Sequence, residues 1–212
     1  MPPFFETITS FTEVDTTEGI ETVKFLDACD GVVELFKRLN SAAFTPVQSD
    51  IAGNIDKVRT RYNAEPALCG TLEQLVENEK TVKGRPATEG LMWLLRGLSF
   101  TCKGLQNAQA KPQEELSAAF SGAYDLTLKK FHGFLVKGVF ALAMKACPTR
   151  LTLYTNLAKN VDENGDPAGE DAPQEKVIEE MDKWLAALSA IVLHMENFYE
   201  DGKHNDPKNF KK

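Results

Sequence analysis

A chain of 212 residues suits one domain or at most two small ones, and its 42% hydrophobic content is enough for a sizeable core, which excludes a disordered chain. The net charge of −7 argues against a nucleic-acid partner, which calls for a basic footprint. Cys29, Cys69, Cys102 and Cys147 are scattered, with no C-x-x-C pair, so zinc and redox chemistry lack support and the four read as reduced core thiols of a cytosolic protein.

Residues 1–20 are rich in Thr and Glu without a sustained period and read as a loose N-terminal arm, followed by one domain over 21–212. The start, "MPPFFETITSF", has neither a basic n-region nor an apolar h-region, so no signal peptide is expected. Its "PFFET" is similar to motifs that dock on endoplasmic-reticulum receptors, although the flanking acids of such motifs are sparse. Apolar residues then recur at helical spacing over 21–39, 46–63, 71–79, 87–108, 113–120, 122–146, 150–160 and 174–200. Alternating strand patterns are lacking, so the fold class is all-α, a single domain with helices packed in layers.

In "FTPVQSDIAGNIDKV", Thr45 is placed to cap a helix, with Pro46 at its first position and Gln48 as the capping-box partner. Val47, Ile51, Ile55, Val58 and Tyr62 make the apolar stripe. Asp50, Asn54, Lys57 and Arg61 border that stripe, which is either the wet flank of a helix or an edge that holds a ligand. In "TEGLMWLLRGLSFTCKGLQ", Leu91, Leu94, Leu95, Leu98, Cys102 and Leu105 form a core stripe, with Trp93 and Phe100 opposite. Gly90, Gly97 and Gly104 run beside them at seven-residue spacing. An interior glycine costs about 1 kcal/mol against alanine, so three in one seam imply close approach by a helix or a ligand.

Over 122–146 the pattern predicts one long helix whose stripe is Tyr124, Leu128, Phe131, Leu135, Val139 and Leu142, with His132 at its edge as a structural donor or a site residue. Phe134 lies on the opposite face between Lys130 and Lys137, which suits a water–membrane boundary. Arg150 and Tyr154, in "CPTRLTLYTNL", offer a second basic–aromatic pair for the same contact. Lys137 and Lys145 also interrupt "FHGFLVKGVFALAMKACP", so no bilayer span is expected. "DENGDPAGEDAP" (162–173) has the acids of a calcium loop, but Pro167 stands where such a loop needs glycine. Motifs for nucleophilic, zinc, P-loop or dinucleotide chemistry are missing. Asp50 and His132 could form a hydrolytic dyad, but no nucleophile is marked for them.

Taken together, "FTPVQSDIAGNIDKV", "LMWLLRGLSF" and "LKKFHGF" resemble the glycolipid transfer protein family in order and spacing, over roughly residues 21–200. The length and the N-terminal arm resemble fungal members linked to heterokaryon incompatibility. The resemblance implies a two-layer helical sandwich that encloses lipid chains, with no enzyme activity and no cofactor or metal. It implies that Asp50, Asn54 and Lys57 contact the sugar and amide of a glycosphingolipid, that Trp93 stacks on the first sugar, and that His132 contacts the ceramide carbonyl. A cytoplasmic carrier that touches membranes transiently is the expected role. A glycolipid sensor with a protein partner, or a ceramide-1-phosphate carrier, is the alternative. The phosphate branch uses arginines in place of the tryptophan, so Trp93 favours a sugar. Two positions depart from the animal members: Phe134 replaces a tryptophan, and Glu89 replaces a leucine one turn before Trp93.

Overall fold

In the computed structural model, residues 4–39, 41–161, 166 and 168–210 are described. The helices are α1 (Phe4–Thr7), α2 (Thr22–Arg38), α3 (Thr45–Ala64), α4 (Leu72–Asn78), α5 (Pro86–Ala110), α6 (Leu116–Leu126), α7 (Phe134–Lys145), α8 (Arg150–Ala158) and α9 (Gln174–Asp201). The only extended pairing among the described residues is a bridge between Glu21 and Thr71.

Helix α5 is central because it is apolar on more than one face. It packs against α3, α6 and α9. Leu91, Leu94, Leu98 and Phe100 are buried within it. The glycine seam is explained by its neighbouring helices. A Cβ on Gly90 would come within 2.9 Å of the Lys57 stem, Gly97 faces Ile51, and a Cβ on Gly104 would press into the Phe120 ring at 2.5 Å. Close approach is therefore to helices α3 and α6, and it brings α3 hard against the Trp93 turn.

The start of α5 is fixed by buried polar groups. The fully buried Glu79 carboxylate accepts from the Ala87 and Thr88 amides at 2.9 and 2.5 Å and from the Thr88 hydroxyl at 2.6 Å. An anion at a helix N-terminus satisfies the free amides and suits the helix dipole. The Tyr199 hydroxyl on α9 donates to the Thr88 carbonyl at 2.8 Å. Trp93, little more than a turn further on, therefore projects from a well-anchored helix end.

Three expectations are corrected. Thr45 does not cap α3: the turn Ala42–Phe44 runs straight into the helix, Phe44 takes the cap position without a side-chain bond, and its buried ring packs on Phe36. The N-terminal arm is not loose. Phe5 and Phe11 pack on Trp184 of α9 and Phe4 is buried beside them, so the phenylalanines of "PFFET" belong to the core. The helix expected over 122–146 is two helices. It ends at Leu126, passes through a short turn at Lys129–Phe131, and restarts at Phe134 with Gly133 in extended backbone as the new cap. The restart rotates the face. Tyr124 and Leu128 remain buried, whereas Leu135 is 82% and Leu142 67% exposed, and α7 instead buries Phe140, Ala143 and Met144. The acidic stretch 162–173 falls partly outside the described residues, and among those described no cluster of acids, histidines and cysteines could hold a metal ion.

Candidate functional site

Helix α3 carries a hydrogen-bonded row of polar groups along its border with α5. Asn54 is only 3% exposed. Its amide nitrogen donates to Asp50 Oδ2 at 3.3 Å, and its carbonyl accepts from Lys57 Nζ at 2.9 Å. The Lys57 stem rests on Gly90. Each group thereby holds the next, so the row is preorganised. Burial pushes the Asp50 carboxyl up, and Lys57, His132 and the Asn54 bond oppose that shift.

The opposite wall comes from α5 and from the segment between α6 and α7. The Trp93 and His132 rings are nearly parallel, 20° apart with centroids 6.2 Å apart, and Phe131 meets Trp93 edge-on at 6.3 Å. His132 Nδ1 lies 3.2 Å from the Tyr124 hydroxyl, and the imidazole packs on Phe140, whose ring stacks on Tyr124. The break in the expected helix makes this possible, because it lets His132 fold back over Tyr124. Burial pulls the His132 imidazole down; Asp50 raises it, while Lys137 and Arg96 lower it further. Neutral His132 thus keeps one ring nitrogen as a donor and one as an acceptor.

These pieces line one cavity of about 570 Å³. Asp50, Asn54, Lys57 and Glu89 stand at a polar end, Trp93, Phe131 and His132 follow, and Val47, Ile51, Gly97, Val136, Val139 and Phe140 continue as apolar wall. All five residues singled out as a headgroup set in the sequence meet here. None of the described residues lining it is a serine, threonine or cysteine, so Asp50 and His132 face no side-chain alcohol or thiol within it. Tyr124 was read from the sequence as core alone. Its spacing of eight from His132 carries no signal unless the helix break at Gly133 is recognised.

The candidates for membrane contact divide. Phe134 is 90% exposed on α7, and Lys137 is exposed one turn later. Arg150 and Tyr154 are corrected. Tyr154 is 4% exposed, and the Arg150 guanidinium is held by the carbonyls of Ala108 and Lys111 at the end of α5 and of Glu114 in the turn that follows. A guanidinium so engaged caps a helix and is not free to meet a lipid surface.

An all-helical fold around a cavity with a polar end and a long apolar wall defines a carrier of amphiphilic molecules. The glycolipid transfer protein family profile matches residues 20–159. The chain is 42% identical to a glycolipid transfer protein of Aureobasidium melanogenum over 197 residues, 92% of each chain. Its structure is similar to that of HET-C2, a fungal glycolipid transfer protein, with a TM-score of 0.82 and 38% identity over 99% of this chain and 100% of that one. It is also similar to the GLTP-fold structure of FAPP2, which selects simple glycosphingolipids, with a TM-score of 0.79 and 32% identity over 96% and 97%. The chain belongs to the glycolipid transfer protein family. It is a lipid carrier with that family's all-α sandwich fold.

Proposed function

We propose that this chain binds a glycosylceramide by its headgroup at the polar end of the cavity, shelters the hydrocarbon chains along the apolar wall, and moves the lipid between membranes without chemical change. One observation carries the reading: Asp50, Asn54, Lys57, Trp93 and His132 all line the cavity that Ile51, Val136, Val139 and Phe140 continue. The chemistry suits a ceramide bearing a neutral sugar. Asp50 accepts from the amide N–H and a sugar hydroxyl, Asn54 donates and accepts, and Lys57 donates to sugar oxygens. Trp93 offers a flat face to sugar C–H groups. The Tyr124 hydroxyl engages His132 at Nδ1, which leaves the Nε2 edge of the ring for the ceramide carbonyl. Glu89, on the same cavity, adds a further acceptor for sugar hydroxyls.

Charge favours a sugar over a lipid phosphate. Lys57 stands in the cavity with two carboxylates, Asp50 and Glu89, and those acids repel a phosphate. The energetics suit a shuttle. Each chain methylene is worth about 0.8 kcal/mol on leaving water, so the tails need an apolar sleeve in transit. A sleeve that matches the bilayer leaves uptake and release nearly balanced. Among the described residues no helix is long and apolar enough to cross a membrane. Contact is peripheral, brief and cytoplasmic, made by the exposed Phe134 with Lys137 beside it.

Native mass spectrometry of the protein mixed with a total lipid extract tests this. Retention of intact mono- or diglycosylceramide, with transfer of the same lipid between vesicles, is the expected result. Preferential retention and transfer of ceramide-1-phosphate or a phospholipid would overturn it, and release of cleaved lipid would show chemistry.

A further inference from the structure

Behind the Trp93 wall lies a second cavity of about 340 Å³, lined by Met92, Leu95, Arg96, Phe131 and Glu196 among others. Phe131 borders both cavities, whereas Trp93 borders the first and Arg96 the second. Arg96 therefore approaches the rings from the side away from the headgroup cavity. Its guanidinium carbon lies 3.7 Å from the Phe131 ring centroid and 4.6 Å from that of Trp93. Among the described residues Arg96 makes no ion pair, and its guanidinium lies over the two aromatic rings. A half-buried arginine with no carboxylate bonded to it is costly unless something else holds it. Here two ring faces do so. Glu196 lies close enough to support the cation without bonding to it.

We propose that Arg96 is a positioning residue for the headgroup wall: its guanidinium, seated over Phe131 and the rear of Trp93, holds both rings where a sugar face meets them. The proposal rests on the glycosylceramide reading. The effect is geometric rather than electronic. A cation behind an indole draws density away from the front face and so weakens, slightly, its attraction for sugar C–H groups. What Arg96 supplies is a ring already fixed in place, which removes the ordering cost that a mobile indole at a cavity mouth would incur on binding. Lysine is a poor replacement, because a compact, strongly hydrated ammonium lacks the flat, weakly hydrated face that packs on an aromatic ring.

The test compares wild type, Arg96→Met and Arg96→Lys in two measurements: acrylamide quenching of tryptophan in the lipid-free protein, and calorimetric affinity for short-chain glucosylceramide. Trp184 is 1% exposed, so quenching reports Trp93. Arg96→Met is expected to raise the quenching constant about twofold and weaken affinity about fivefold, with Arg96→Lys between it and wild type. Wild-type quenching in a folded Arg96→Met protein overturns the proposal, and so does lost affinity with unchanged quenching, because the ring then keeps its place unaided. Should Arg96→Met fail to fold, Arg96→Gln is judged by the same two readings. If wild type itself binds no glucosylceramide, the headgroup reading fails, while quenching of the lipid-free proteins still decides the role of Arg96.

Discussion

The α3 edge and helix α7 lie on one cavity and are built in opposite ways. On α3, the polar row facing the cavity is bonded within the protein: Lys57 bonds Asn54, Asn54 bonds Asp50, and Lys57 and Asn54 are pressed onto the Gly90 turn of α5. On α7, large apolar side chains have no cover: Phe134 is 90%, Leu135 82% and Leu142 67% exposed. The first region is complete before any ligand arrives. The second carries apolar surface that a water-facing helix would not need, and Leu135 also lines the cavity, at its mouth. The contrast suits a division of labour, with recognition by a rigid polar row and exchange at an apolar rim.

The sharpest way to break the comparison is to damage only the row. Asp50→Val should lower glycosylceramide transfer at least tenfold, because losing a hydrogen bond to an ionised group costs about 1.5–3 kcal/mol. Helical content and thermal midpoint should stay close to wild type, since Asp50 is exposed at the helix surface and its loss relieves a partly desolvated charge. Wild-type transfer by folded Asp50→Val protein, measured between vesicles, would remove the row from the binding site.

Acidification probes the same row more gently. Burial raises the Asp50 carboxyl above the ordinary value of 3.8 and lowers the His132 imidazole below 6.5. As pH falls, Asp50 therefore loses its charge earlier than an ordinary carboxylate, and His132 gains one later than an ordinary imidazole. Affinity for a short-chain glycosylceramide should be flat through neutral pH and decline on the acid side, between those two values. The decline should be smaller than that of Asp50→Val, because a protonated carboxyl still has an acceptor oxygen. A titration that falls instead between pH 7 and 8 would exclude both groups as its source.

The two regions were also unequally legible in the sequence. The α3 edge could be read because a single unbroken helix fixes which residues share a face, and Asp50, Asn54 and Lys57 follow from the wheel. The glycine seam likewise announced close packing, though not that α3 and α6 were the partners. Around His132 the same logic failed. The apolar period ran on from Tyr124 to Leu142 as if through one helix, but Gly133 caps a new one and turns α7 by its own register. Local pattern cannot report that rotation, since it depends on where α7 lands against Tyr124 and Phe100. The Tyr124–His132 bond, the Phe131 partition and the exposure of Leu135 all follow from the break. Specific family motifs placed His132 in the site set without any account of how it gets there.

Damage to the rim should give the intermediate effect. Full burial of a phenylalanine is worth about 1.5–3 kcal/mol, so partial insertion of the Phe134 ring into a bilayer puts the loss for Phe134→Ala at about fivefold in vesicle-to-vesicle transfer. Binding of a soluble short-chain glycosylceramide should stay within about twofold of wild type, because Phe134 does not line the cavity. Loss of short-chain binding as well would make the ring part of the pocket, and the contrast between row and rim would dissolve.

The smallest effect on membranes belongs to the end of α5, and it marks where the rim stops. Arg150 and Tyr154 had the composition of a docking pair, yet Arg150 Nη2 donates to the Lys111 and Glu114 carbonyls at 2.9 and 3.1 Å and also to that of Ala108, while Tyr154 is buried beneath it. Carbonyls at a helix end carry partial negative charge, so a guanidinium placed there stabilises the helix and has little left to offer an anionic lipid. Arg150→Gln should therefore lower the thermal midpoint by about 2–4 °C, the shift expected for roughly 1 kcal/mol in a chain of this size. Its sedimentation with vesicles containing anionic lipid should match wild type. Lys137→Gln serves as the control, because an exposed cation near such a surface is worth about 1 kcal/mol and its removal should weaken sedimentation. If Arg150→Gln weakens vesicle binding as much as Lys137→Gln while leaving the midpoint alone, the apolar rim extends past α7 and the capping role assigned to Arg150 is wrong.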